Sequence, residues 1–126
     1  MFNAKRVEIK PEMSIISWPK VVQEPFNFNG PEVIDWGIKL VGIPEFWRQT
    51  KGEGINVLVL DTGVAYNHTD LKDAIKDMRD FTNSPSGPMD INGHGTHVCG
   101  TIAARENSSG VVGAAPACNL YVGKVS

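Results

Sequence analysis

A run of branched apolar residues, Ile55 to Leu60 (INVLVL), stops abruptly at the polar turn sequence Asp61-Thr62-Gly63. A run of this kind predicts a strand buried on both faces, as in a parallel sheet. Asn119 to Val125 (NLYVGKV) predicts a second central strand, and Met78 to Phe81 a further short one. Gly93 to Ala104 (GHGTHVCGTIAA) sets Val98, Ile102 and the alanines at helical spacing among small residues. That pattern predicts a buried helix starting near His94. Ile43 to Arg48 predicts a short helix, with Pro44 at an early position where proline is tolerated. Asn83 to Asn92 and Glu106 to Gly110 are loops by composition. Strand, helix and strand in this order predict an α/β domain with a mostly parallel sheet and crossover connections.

Residues 1 to about 35 follow a different pattern. Short extended runs (Val7 to Ile9, Ser14 to Trp18, Val21 to Val22) alternate with Pro11, Pro19, Pro25 and Pro31, which exclude a long helix. This segment reads as an arm that lies against the body formed by residues 36 to 126.

Composition narrows the class. At 126 residues and 41% hydrophobic, the chain is long enough for one domain with a real core. A formal net charge of −2 offers no electrostatic case for nucleic acid or an anionic membrane. No run of 18 apolar residues exists, so no transmembrane helix is expected. Cys99 and Cys118 read as small buried hydrophobes rather than a disulfide. Met1 to Lys10 has no apolar signal region, so a cytoplasmic location with reduced thiols is expected.

Two positions carry candidate chemistry. Asp61 ends a buried strand, the edge at which open parallel sheets gather functional groups. An Asp-x-Gly turn also occurs for purely local reasons, so Asp61 alone decides little. His94 stands between Gly93 and Gly95 at the start of a helix, where a neutral imidazole suits a general base. A carboxylate on one ring nitrogen would fix its tautomer, and Asp61 is the candidate partner. His97 could share a face with His94, but no Glu follows the first His, so the zinc-protease pattern fails. His97 is expected to point into the protein.

Taken together, the blocks resemble the subtilisin-like serine proteases. They are Val57 to Val64 (VLVLDTGV), His68-x-Asp70-Leu71, Asn92 to Ala104 (NGHGTHVCGTIAA), Gly110 to Pro116 (GVVGAAP) and Leu120 to Val125. The resemblance covers about residues 36 to 126. It implies the N-terminal portion of a three-layer α/β fold, with Asp61 orienting the catalytic histidine and His94 as general acid/base. Protein or peptide would be the substrate. The family's serine lies in a Gly-Thr-Ser-Met-Ala type block, and none of the serines at 14, 17, 84, 86, 108, 109 and 126 stands in one. The resemblance therefore implies a chain inactive alone, whose partner is the remainder of the protease domain carrying the Ser. It further implies a structural calcium held by Asp70, Asn107, the carbonyls of Arg105, Ser109 and Val111, and Glu32. The first 35 residues resemble the short N-terminal segment of intracellular subtilisins, which implies an inhibitory extension across the cleft.

Two other readings stay open at this stage. A truncated, non-catalytic homologue would act as a binding or regulatory module. A retropepsin-like aspartic protease would pair two Asp61 carboxylates in a homodimer, but leaves the His94 block without a role. The end at Val125-Ser126, in or just after a strand, favours a fragment of a longer protease over both.

Overall fold

The structure, a computed structural model, describes residues 31–126. The extended runs expected before Pro31, and residues 1–30 of the extension expected to lie across the cleft, lie outside the described residues. The element order is α1 (Trp36–Leu40), α2 (Ile43–Phe46), β1 (Asn56–Asp61), β2 (Ile75–Asp80), α3 (His94–Ala103) and β3 (Asn119–Lys124). The three strands form one parallel sheet in the order β1-β3-β2, as the strand, helix, strand pattern implies. The fold is α/β, a parallel sheet with helices, as expected.

The last strand in sequence is the middle one in space. β3 pairs with β1 from Asn56↔Asn119 to Asp61↔Lys124, and with β2 from Ile75↔Leu120 to Asp80↔Lys124. Flanked on both sides, β3 buries Leu120, Val122, Gly123 and Lys124. β1 lies at an edge among the described strands, which corrects its reading as a strand buried on both faces. Its inward residues are Val57, Val59 and Asp61, whereas Leu58 and Leu60 are 65% and 56% exposed. The physical reason is layering: α3 packs on one sheet face, and no described element covers the other. Tyr121 and Phe81 are exposed on that same open face. Of three expected layers, the described residues supply the sheet and the α3 layer.

The core is built where α3 meets the sheet. Val59, Val64, Leu71, Ala74, Cys99, Ala103, Cys118, Leu120 and Val122 form one buried cluster. α3 is not buried all round. Gly95, Cys99 and Ala103, spaced by four, form its buried stripe. His97 is two residues from both Gly95 and Cys99, about 200° round the helix from each. It is exposed, facing a groove of about 580 Å³ with Trp36, Leu71 and Thr101. The expectation that His97 points into the protein is therefore corrected.

Boundaries moved at the short elements. α1 was not expected, α2 ends at Phe46 rather than Arg48, and β2 begins at Ile75 rather than Met78. Trp47, the residue after α2, ties it to the body, its indole Nε1 donating to Ala114 O at 2.9 Å. Ile75 is recruited to β2 because it pairs with Leu120 across a register shift at Asp77. Cys99 and Cys118 are both free and buried, as expected.

Candidate active site

The parallel strands end together at Asp61, Asp80 and Lys124, and the chain turns there toward the start of α3. Asp61 is the last residue of β1, and its side chain lies on the α3 side of the sheet. His94 is the first residue of α3. Residues 33 apart in sequence thereby meet: His94 Nδ1 lies 2.8 Å from Asp61 Oδ1. The backbone N–H of Thr62 donates to the same oxygen at 2.7 Å. Partial burial pushes the Asp61 carboxyl up. The hydrogen bond from His94, the Thr62 N–H and the charge of His94 outweigh it, and its pKa lies below the ordinary carboxylate value. Asp61 is thus an anion, and the ring nitrogen facing it is the protonated one. That tautomer presents Nε2 as the basic atom of the neutral ring.

Close approach of two backbones makes the pairing possible. A Cβ at Gly95 would collide with the carbonyl oxygen of Gly63 and lie 3.1 Å from Thr62 Oγ1. With glycine there, Gly95 N donates to Thr62 Oγ1 at 2.9 Å and locks the first turn of α3 against the end of β1.

A third carboxylate, absent from the sequence-based candidates, lies behind the pair. Asp90 is 4% exposed and accepts from Thr62, Asn92, Gly93 and Thr96. Burial raises its pKa. The hydrogen bonds from the Thr96 hydroxyl and from the Gly93, Thr96 and Asn92 amides more than offset this, leaving the carboxyl below its usual value. Its place in a Ser/Pro/Gly-rich loop hid it, although Asp shortly before a helix start is a recognisable signal. Lys124, 4% exposed, braces the same loop by donating to Ser84 Oγ, Ser86 Oγ and Met89 O. Cys99 sits in the core beneath the pair. Burial, then the negative charges of Asp61 and Asp90, push its thiol up to about 12, so it stays protonated.

The residues expected to hold a metal cluster away from the pair. Asp70 is 3% exposed; Asn107 Nδ2 donates to its Oδ1 at 2.8 Å and Val111 N to its Oδ2 at 3.1 Å. Glu32 Oε1 accepts from the N–H groups of Asn107 and Ser108 at 2.6 and 3.1 Å. Ser109 N and Oγ both donate to Asn107 Oδ1. Val33 flanks the loop from outside through its bridge to Val111. Gly110, at φ +71°, leaves the space that the Asp70 carboxylate fills. Arg105 enters with its backbone, its N–H donating to Asp70 O at 2.8 Å. Its guanidinium points elsewhere, donating to the carbonyls of Pro116, Cys118 and Asp73. Among the described residues the buried Asp70 carboxylate is held by neutral N–H donors alone, a charge that a hard cation would balance.

The geometry has counterparts among known proteins. Residues 52–126 match the model of the subtilase family. The chain is 50% identical over 93 residues to the intracellular serine protease of Paenibacillus polymyxa, an alignment covering 71% of this chain and 28% of that protein. It is 46% identical over 94 residues to the major intracellular serine protease of Bacillus subtilis (strain 168), covering 71% and 30%. It is 42% identical over 95 residues to subtilisin DY of Bacillus licheniformis, covering 75% and 34%. The matched region thus spans about a third of the length of these relatives.

Proposed function

The chain belongs to the subtilase family, and on that premise we propose that it is the Asp- and His-bearing part of a serine endopeptidase. The observation that carries this reading is the 2.8 Å contact between His94 Nδ1 and Asp61 Oδ1 at the end of a parallel strand. In the reaction, the hydroxyl oxygen of a serine bonds to the scissile carbonyl carbon while His94 Nε2 takes its proton. The C–N bond then breaks as His94 returns that proton to the leaving amine. Asp61 holds the ring in the productive tautomer and stabilises the imidazolium formed between the two steps. The serine comes from the remainder of the catalytic domain, since no serine here stands in a Gly-Thr-Ser-Met-Ala block. The substrate is protein or peptide.

Co-folding the chain with the remaining part of the P. polymyxa relative tests this. The complemented protein is expected to hydrolyse a peptide anilide and to lose about six orders of magnitude in kcat with His94→Ala. That magnitude is subtilisin's own, not one obtained from this geometry. Turnover by the chain alone, or none after complementation, would refute the proposal.

Calcium is the proposed structural cofactor. Asp70, Glu32, Asn107 Oδ1 and the carbonyls of Arg105, Ser109 and Val111 supply an oxygen-only donor set, which suits calcium over a transition metal. The ion would supply the counter-charge for Asp70 and tie residue 32 to the 105–111 loop. A cytoplasmic location is supported by two relatives named as intracellular and by the free thiols of Cys99 and Cys118. Fractionation of the source cells tests it, and recovery of the protein outside the cell would overturn it.

A further inference from the structure

We infer that Asp90 is a positioning residue: its carboxylate holds in register the two backbones that carry Asp61 and His94. The inference rests on the reading of that pair as the catalytic dyad. Oδ1 of Asp90 accepts from Thr62 Oγ1 at 3.0 Å and from the N–H groups of Asn92 and Gly93, each at 2.9 Å. Oδ2 accepts from Thr96 N at 2.8 Å and Thr96 Oγ1 at 2.6 Å. Thr62 follows Asp61 in the chain, and Gly93 precedes His94. One side chain therefore grips the immediate neighbour of each member of the pair.

An ordinary helix cap would not reach so far. A cap side chain satisfies the first helical N–H groups from the residue beside them. The residue at that place is Gly93, which has no side chain to offer. Asp90 takes over from four residues before His94 and extends across to the end of β1. The threonines close the circuit: Thr62 Oγ1 accepts from Gly95 N, and Thr96 Oγ1 accepts from Ala65 N, each at 2.9 Å. Strand end, loop and helix start are thus joined through one carboxylate. A dyad must be held to roughly 0.5 Å and 10–20° to work, and a closed hydrogen-bond circuit of this kind supplies such restraint.

The tautomer of His94 reports on positioning without any substrate. In the wild-type chain, nitrogen-15 shifts of the imidazole, read at alkaline pH where they no longer change, are expected to show the Nδ1–H form in the majority. Asp90→Asn keeps the shape but turns an NH2 group toward the Thr96 N–H. Thr62→Val cuts the link to β1, removes the acceptor of Gly95 N with it, and leaves the other four bonds of Asp90. In both variants, with far-UV circular dichroism unchanged, the Nε2–H form is expected to become the majority. If Asp90→Asn does not fold, Thr62→Val decides. A folded variant that keeps the wild-type tautomer ratio would overturn the role of Asp90 and leave the dyad standing. A wild-type chain with the Nε2–H form in the majority would overturn both.

Discussion

Gly95 shows how much one residue decides here. It occupies the buried stripe of α3, directly against the carbonyl of Gly63, and leaves no room for a methyl group. Gly95→Ala is expected to cost about 1–3 kcal/mol, as overpacking in a tight contact does. Urea unfolding measures this, and an unchanged midpoint would contradict it. The same substitution pushes the first turn of α3 away from β1, and with it His94 from Asp61. At the residue scale, Asp61 and His94 were legible because each belongs to a block with few other uses. Asp90 was not, because it stands in a loop rich in Ser, Pro and Gly and its link to Thr62 spans 28 positions.

Elements follow the same division. β1, β3 and α3 were readable, since long apolar or small-residue runs leave few alternatives. Their burial was not readable, because the run Ile55 to Leu60 has the same letters whether one face or two are covered. The short elements were harder still. α1 and α2 are held by contacts such as Trp47 with Ala114, not by local propensity. The 105–111 loop is the element through which calcium should act. Saturating calcium is expected to stabilise the chain by about 3 kcal/mol at a hundredfold excess over Kd, and magnesium by much less. Thermal unfolding of the wild type and of Asp70→Asn checks this. The variant is expected to lose the calcium response, and an equal response in both would rule out Asp70 as a ligand.

At the scale of the whole molecule, the carboxylates set a common response to pH. Asp61, Asp80 and Asp90 all have folded pKa values lowered from the ordinary one. A lowered folded value means that the unfolded chain binds protons more readily. The stability these groups contribute is therefore fully present above their unfolded pKa, about 4, and is lost as pH falls through the folded values. Urea midpoints are expected to fall steadily below about pH 4, more gently in Asp90→Asn. A variant as acid-labile as the wild type would show that Asp90 carries none of this dependence. The exposed sheet face, with Leu58, Leu60 and Phe81, belongs to this scale too. It agrees with a chain that matches about a third of the length of its relatives.

The sequence by itself determined the class of sheet, the order of the main elements, the family resemblance and the pairing of Asp61 with His94. Those properties reside in local runs and spacings, which hydrophobic period and turn chemistry make visible. The tertiary structure decided which strand is central, which faces are covered, where His97 points and how Asp90 braces the pair. Each of these depends on which distant segments come together, and hydrogen bonds between residues thirty positions apart leave no periodic trace in the chain.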